Sequence, residues 1–120
     1  MDSTHRPISL PAGLREGYLY QRFPLGTVTA SESALAFLDQ TRTPIGELLS
    51  RHVSGTDYGE EHEESVLSNE EGILSQGFVC SVYKLWRRLP HVGSDKIWIT
   101  TSLREGWTSV TLIEDAGHFI

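Results

Sequence analysis

The hydrophobic pattern of the last third of the chain predicts three consecutive β-strands between Phe78 and Glu114. Three runs, SVYKL, KIWITTSL and TSVTLIED, are rich in β-branched and aromatic residues, and Gly, Pro, Ser or Asp residues bound each of them. Apolar and polar residues alternate along the runs, so each strand has one face for the core and one face of mixed polarity. The short breaks between the runs favour antiparallel pairing of neighbouring strands.

The same alternation predicts which side chains face the core. On the first strand these are expected to be Phe78, Cys80 and Val82. The matching residues on the next two strands are Ile97, Ile99, Leu103, Val110 and Leu112. We therefore expect one apolar layer on one face of the sheet, with the polar residues of the strands on the other.

The residues before these strands show helical periodicity. Thr29 and Glu32 form a capping-box pattern in front of an apolar run and predict a helix over residues 30–39. The Thr-Pro pair at 43–44 predicts the start of a second helix, and the Ser-Gly pair at 54–55 predicts its end. Both helices are short.

A third helix is predicted over residues 61–75, with Gly72 weakening it and Gly77 ending it. The predicted fold class is therefore α+β, with short N-terminal helices packed on a C-terminal antiparallel meander of three strands or slightly more. Residues 1–16 hold two prolines and little periodicity, and we expect a flexible arm there. Residues 17–120 then form a single domain.

Composition is typical of soluble globular proteins. The chain has 120 residues, 38% of them hydrophobic and 9% aromatic, which suits one domain with its own core. No apolar run approaches the ~18 residues that a membrane-spanning helix needs. The N-terminus lacks the charged-then-apolar order of a signal peptide. A cytoplasmic location without membrane association is expected, with the single cysteine, Cys80, as a reduced core thiol.

The formal net charge is −6, and much of the acid is concentrated in one stretch without Lys or Arg. Its seven carboxylates are Asp57, Glu60, Glu61, Glu63, Glu64, Glu70 and Glu71. Such a block disfavours broad electrostatic binding to nucleic acid and suits docking onto a protein partner with a basic surface. A solvated helix face that promotes solubility explains the same pattern.

His52 is the most promising candidate for chemistry. It follows Arg51 at the end of a predicted helix, where the helix terminus favours a protonated imidazole. A protonated imidazole beside a guanidinium suits an anionic ligand or a leaving-group oxygen in RNA cleavage. Tyr83, Thr100 and Thr108 on the polar sheet face would complete such a site. A histidine that caps the last helix carbonyls explains the same position.

Established cofactor and metal motifs are missing from the sequence. There is no P-loop, GxGxxG, HExxH or cysteine pair. Asp57, His62 and Glu63 have no spacing that fits a known metal site. We therefore expect neither a metal nor a cofactor. The tryptophan side chains would either form an exposed docking surface or pack in the core or at the edge of the sheet.

Several strings of the chain, taken in order, resemble one family. They are FPLGTVTASESALAFL, GELLSRHVSG, DYGE, SVYKL, KIWITT and TSVTLIED. The family pattern runs RHxSGDWG, an Asn, SxYxL, then IWIITEADRSxTTVLLPEEY. The resemblance is to small proteins of bacterial plasmids, phages and integrated elements that are often labelled as a type I restriction subunit. It implies that this protein is carried by a mobile genetic element. It implies no particular activity, because none is established for the family.

The resemblance assigns individual residues to the family pattern. The matching positions are Arg51, His52, Asp57, Tyr58, Gly59, Asn69, Ser81, Tyr83, Trp98 and Thr108. Tyr58 stands where the family has Trp, after an apparent one-residue insertion. The chain departs from the pattern at residues 102–106, where SLREG replaces Glu-Ala-Asp-Arg-Ser. The expected acid and arginine are replaced or swapped there, so if that turn is an active site in relatives, we do not expect catalysis to carry over to this chain.

Two hypotheses follow for function. The first is an accessory protein that acts by protein contact, for example as an inhibitor of CRISPR or restriction machinery. The residues expected to bind its partner are Asp57, Tyr58, Glu60, Glu61, Glu63, Glu64, Asn69, Trp98, Arg104 and Thr108. The alternative is a small barnase-like or RelE-like ribonuclease or toxin with His52, Arg51 and Tyr83 as catalytic residues, for which nucleic acid is the ligand. A homodimer through an exposed third strand is compatible with either.

Overall fold

The computed structural model describes residues 5–9, 21–55, 57–59, 63–85 and 96–112, apart from the side chains of residues 63 and 64. Within these ranges five strands form one sheet. The strands are β1 (His5–Pro7), β2 (Thr27–Ser31), β3 (Phe78–Lys84), β4 (Lys96–Ser102) and β5 (Trp107–Leu112). The described helices are α1 (Glu32–Thr41), α2 (Ile45–Ser54) and α3 (Glu63–Ser75).

The sheet is mixed, with the strand order β1-β2-β5-β4-β3. Strands β2 and β5 are parallel, and the other neighbouring pairs are antiparallel. The chain passes through α1, α2 and α3 between β2 and β3, so these helices lie in the middle of the chain. The prediction of N-terminal helices on a C-terminal antiparallel meander is therefore wrong. Strands β3, β4 and β5 do follow one another as antiparallel neighbours.

One reason for the wrong fold prediction is that the predicted helix start at Thr29 lies inside β2. Thr29 belongs to β2 and lies opposite Ser109 of β5. The N-cap of α1 is Ser31, whose hydroxyl accepts a hydrogen bond from the amide of Ala34 at 3.1 Å. A five-residue strand that ends in a capping serine has the same local sequence signals as a capping box with its preceding loop. The sequence pattern alone did not separate the two.

Part of the predicted N-terminal arm belongs to the sheet. His5–Pro7 pairs with β2, and the amide of Ile8 donates to the carbonyl of Val28 at 2.9 Å. Ser9 is exposed, and residues 1–4 and 10–16 of the predicted arm lie outside the described ranges. Because antiparallel pairing alternates, the nitrogen of Pro7 points away from β2, where proline blunts the sheet edge.

One apolar cluster joins the sheet to α1 and α2. Its largest fully buried apolar side chains are Phe37, Leu48, Leu49, Val53, Val79, Tyr83, Ile97, Ile99 and Val110. The predicted core residues of β4 and β5 are confirmed, since Ile97, Ile99, Val110 and Leu112 are all buried and Leu103 packs against the cluster. No helix in the described ranges is long and apolar enough to cross a bilayer.

The core-facing residues of β3 differ from the prediction. They are Val79, Ser81 and Tyr83, whereas the predicted set of Phe78, Cys80 and Val82 faces the other way. Phe78 is 57% exposed. A shift of one residue moves every side chain of a strand to the opposite face. The prediction was wrong because Ser81, a polar residue, is buried at the centre of the core face.

Close packing between α3 and β3 gives the first testable prediction. A Cβ atom at Gly72 would overlap the carbonyl oxygen of Phe78. Alanine is preferred over glycine in helix interiors by about 1 kcal/mol, yet we expect Gly72→Ala to lower the free energy of unfolding by about 1–3 kcal/mol. Urea unfolding of this variant is compared with Ser68→Ala, an exposed site on the same helix. A more stable Gly72→Ala protein would contradict the packing.

Candidate functional site

The sequence-predicted histidine lies at the centre of a buried hydrogen-bond chain. Its Nδ1 is 2.6 Å from the hydroxyl of Ser81, and its Nε2 is 2.9 Å from that of Thr101. Thr101 is 2.7 Å from Thr108, whose hydroxyl donates to the carbonyl of Leu25 at 2.7 Å. We call His52, Ser81, Thr101 and Thr108 the His52 cluster. It joins α2 to β3, β4 and β5 and to the segment before β2.

The hydrogen bonds of the His52 cluster run in one direction. Thr108 uses its only proton on the carbonyl of Leu25, so it accepts from Thr101. Thr101 therefore donates its hydroxyl proton to Thr108 and accepts a hydrogen bond from the Nε2–H of His52. The remaining nitrogen, Nδ1, accepts from the hydroxyl of Ser81. Hydrogen-bond accounting thus assigns a neutral imidazole with its proton on Nε2.

Burial accounts for the charge state of His52. The side chain is fully buried, and the edge of its ring packs against Phe23 with ring centroids 5.2 Å apart. Removal from water lowers the pKa of His52 from 6.5 to about 3. The prediction of a protonated imidazole is therefore wrong, because desolvation outweighs the attraction of the helix C-terminus. Both ring nitrogens are engaged inside the protein.

The depressed pKa of His52 predicts how stability depends on pH. The unfolded chain protonates this histidine below pH 6.5 and the folded chain only near pH 3, so acid favours unfolding. Between pH 7.5 and pH 5 we expect a loss of about 2 kcal/mol of unfolding free energy from this residue. Urea denaturation at both pH values measures it. His52→Gln should show a flatter dependence, and equal slopes for the two proteins would contradict the assignment.

A second cluster surrounds Arg51. Its guanidinium donates to Asp57 twice, from Nε at 2.6 Å and from Nη2 at 3.1 Å, and lies 4.4 Å from the centre of the Tyr83 ring. Tyr83 donates its phenolic proton to the backbone carbonyl of Asp57 at 2.6 Å. These bonds lower the pKa of the Asp57 carboxyl and raise that of Arg51. Arg51 is thus paired with a carboxylate of its own chain.

A third cluster was not predicted from the sequence. Arg22 donates to the carboxylate of Glu70 at 2.6 Å and to the carbonyl of Gly55 at 3.3 Å. The hydroxyl of Tyr58 lies 3.5 Å from the same carboxylate. The hydrogen bond from Arg22 lowers the pKa of Glu70, while burial raises that of Tyr58. The pair joins residues 48 positions apart, which no local pattern could indicate.

Asn69 closes the outer edge of the sheet. Its amide nitrogen donates to the carbonyl of Cys80 at 2.7 Å, and its amide oxygen accepts from the Cys80 N–H at 2.9 Å. Further along the same edge, the amide of Val82 donates to the carbonyl of Tyr58 at 3.0 Å. These contacts satisfy backbone groups of β3 that point away from β4. An edge strand without them would be open to pairing with other chains.

The structure separates several residues that the sequence grouped into one site. Tyr83 and Thr108 are buried on the core face of the sheet, whereas Thr100 lies on the other face, so the predicted polar face does not assemble. Trp98 is half-buried there, and its buried Nε1 has no hydrogen-bond partner among the described residues. Arg104 is exposed in the β4–β5 turn.

Other predictions fall outside the described part of the chain. They concern the residues Glu60, Glu61 and His62 and the side chains of Glu63 and Glu64. The predicted homodimer stays a prediction. Residues 107–110 of β5 pair with β2 on one side and β4 on the other, and residues 111–112 pair with β4. No group of residues suited to holding a metal occurs within the described ranges.

The exposed apolar side chains form a separate feature. Three large hydrophobic residues in the described ranges are exposed: Leu67 at 61%, Leu74 at 84% and Phe78 at 57%. Leu67 and Leu74 lie on the outward side of α3, with the exposed carboxylate of Glu71 between them. Phe78 follows at the start of β3. We call Leu67, Glu71, Leu74 and Phe78 the α3 surface.

The chain offers two kinds of candidate site. The buried clusters hold His52, Arg51 and Tyr83 in internal contacts, and the α3 surface presents apolar side chains and an acid to solvent. Comparisons with known proteins do not decide between them: no family model, no curated protein and no solved structure matches this chain.

Proposed function

We propose that this protein acts by binding another protein through the α3 surface. One observation carries the proposal: every exposed large hydrophobic side chain in the described ranges lies on α3 or on the residue that starts β3. Burial of a leucine or phenylalanine side chain is favourable by about 1.5–3 kcal/mol. Two of the three, Leu67 and Leu74, share one side of α3, and this favours a contact site there.

Helical geometry explains why these side chains point outward. Asn69 and Gly72 face β3, where Asn69 bonds the strand and Gly72 allows close approach. Positions 67, 71 and 74 follow at the i, i+4, i+7 spacing and fall on the opposite side of the helix. The residues that attach α3 to the sheet thus also determine that Leu67 and Leu74 remain exposed.

The ribonuclease alternative finds no support in the geometry. General acid–base catalysis requires a group within reach of the substrate and a pKa near the working pH. His52 is fully buried with both nitrogens engaged, and its pKa is lowered to about 3. Arg51 is bound to Asp57, and the hydroxyl of Tyr83 donates to a backbone carbonyl. These contacts suit residues that hold a fold.

The sequence resemblance suggests where to search for the partner. It places the chain beside small proteins of plasmids, phages and integrated elements, whose hosts defend themselves with restriction and CRISPR nucleases. We accordingly propose an accessory protein of a mobile element in a bacterial cytoplasm, with a defence protein as its target. Inhibition by contact requires only a suitable surface and no catalytic group of its own.

Site-specific photo-crosslinking tests the proposal. A photoreactive p-benzoylphenylalanine replaces Ser75, which is exposed next to Leu74, and in a control chain it replaces Ala36, which is exposed on α1. We expect a defined protein adduct from position 75 in bacterial cells, little from position 36, and a loss of the adduct when Leu74→Ser is added. The adducted protein is then assayed for nuclease activity with and without this chain.

Three results would overturn the proposal. The first is the same adduct pattern from both positions, and the second is no adduct from position 75. The third is growth arrest with RNA breakdown that depends on His52 when the protein is expressed. If the protein acts by binding, we expect cells that express it to grow normally and to keep their RNA intact.

A further inference from the structure

We infer that the partner carries an apolar groove bordered by Lys or Arg, and that α3 docks into this groove as a helix. The inference rests on the proposed function and specifies the chemistry of its partner. It starts from the composition of the α3 surface, in which two leucines flank the exposed carboxylate of Glu71. The occupant must match both the apolar and the acidic part of this surface.

The spacing of the apolar side chains indicates how a partner would contact them. Leu67 and Leu74 are seven residues apart, about 10.5 Å along a helix, and face the same side. Recognition of a helix in a groove commonly uses anchors at i, i+3 or i+4, and i+7. The third exposed apolar residue, Phe78, starts β3 beyond the end of α3, and its ring contacts Trp107 at 6.3 Å between centroids.

The α3 surface is fixed before any partner binds. The overlap that a side chain at residue 72 would produce shows that α3 and the start of β3 are in direct contact. The hydrogen bonds of Asn69 to Cys80 and the ion pair of Glu70 with Arg22 hold the helix in register. A rigid arrangement lowers the entropy cost of binding. The leucines can thus serve as anchors without rearrangement.

The negative charge of this chain indicates that the rim of the partner's groove is basic. The stretch from residue 57 to 71 contains seven carboxylates and no Lys or Arg. Asp57 and Glu70 are neutralised by Arg51 and Arg22, but Glu71 makes no ion pair with the described residues. A cationic side chain beside the groove would pair with Glu71 and attract the acidic chain from a distance.

The same charges disfavour two other partners for the α3 surface, namely a second copy of this chain and nucleic acid. A second copy that used the same surface would bring the two Glu71 carboxylates together, and each chain carries a net charge of −6. Nucleic acid would meet the same repulsion from its phosphates. A protein groove with a basic rim satisfies both the leucines and the carboxylate.

The test varies the charge while leaving the leucines in place. Chains with p-benzoylphenylalanine at position 75 are crosslinked in cleared bacterial lysate at about 50 mM and about 500 mM NaCl. We expect Glu71→Lys to lower the adduct yield about tenfold, Glu71→Gln to lower it less, and high salt to mimic the loss. Asp39→Lys, which makes the same charge change at an exposed site on α1, should leave the yield unchanged.

The outcomes separate this inference from the proposed function. Mass spectrometry of the adduct should place the crosslink in an apolar groove with Lys or Arg at its border. An adduct that depends on Leu74 but is indifferent to Glu71 and salt would overturn the basic rim while leaving protein binding intact. No adduct from position 75 would overturn both. Crosslinks to a second copy or to RNA would overturn the inference in favour of those occupants.

Discussion

Replacing His52 with alanine is expected to lower the free energy of unfolding by about 3–5 kcal/mol. The side chain is fully buried, and its removal leaves a cavity beneath Phe23. It also leaves the buried hydroxyls of Ser81 and Thr101 without the partners they have now. Thermal or urea unfolding of the purified variant measures the loss. Because the protein has 120 residues, such a change is a large share of its stability.

The neighbouring residue provides the control for this prediction. Arg51→Ala removes a partly exposed ion pair, which is expected to cost about 1 kcal/mol. The two adjacent substitutions should therefore differ severalfold in their effects. A His52→Ala protein as stable as Arg51→Ala would show that the histidine is not central to the core. His52→Gln, which keeps polar atoms in the site, should lie between the two.

The second large effect is expected at Asn69. Asn69→Ala removes both hydrogen bonds to the backbone of Cys80 and leaves an unpaired N–H and C=O on the edge of β3. We expect a loss of about 2–4 kcal/mol, since a buried unsatisfied polar group costs about 1–3 kcal/mol. Opening this edge should also promote self-association, because a free strand edge is a template for pairing. Urea unfolding and size-exclusion chromatography measure the two effects.

Ser68→Ala is the matched control for Asn69→Ala. It lies next to Asn69 on the same helix but is exposed, so its substitution should change stability by less than about 0.5 kcal/mol. Asn69→Asp keeps an acceptor for the Cys80 amide but places a carboxylate against the Cys80 carbonyl, and we expect it to be destabilised as well. A monomeric Asn69→Ala protein with unchanged stability would contradict the role of Asn69 in closing the edge.

Local sequence signals predicted the elements whose pattern is unambiguous. The β-branched runs correspond to β3, β4 and β5, and the three predicted helices occur with ends displaced by a few residues. The sequence predicts extended backbone up to Val28 but not the parallel strand β2, because Thr29 within that strand imitates a helix cap. The face of β3 was assigned incorrectly because a buried serine there is stabilised by His52, and hydrophobicity alone cannot indicate that contact.

Sequence patterns indicated several residues of the candidate site but not the roles of those residues. Pairing His52 with Ser81 and Thr101 spans 29 and 49 positions, so only the folded chain shows it. No local pattern in the sequence marks Arg22, because its partner Glu70 lies 48 positions away in α3. Burial then reversed the expected charge state of the histidine. Long-range contacts, rather than local propensity, decide each of these points.

The residues behind the family resemblance mostly make internal contacts. Those with a hydrogen bond to another part of the chain are Arg51, His52, Asp57, Tyr58, Asn69, Ser81, Tyr83 and Thr108. Such a pattern is expected of residues that define an architecture. Whether the proteins that the sequence resembles share this fold stays a prediction, since no family model and no solved structure matches the chain.

The central claim is that His52 is a neutral structural residue, and nuclear magnetic resonance of its imidazole tests this most directly. Nitrogen-15 spectra of the histidine ring are recorded from pH 8 to pH 4.5. We predict unchanged shifts across this range, with the proton on Nε2, because the pKa is lowered to about 3. A titration near pH 6–7, or a proton on Nδ1, would contradict the account and make His52 a candidate for chemistry again.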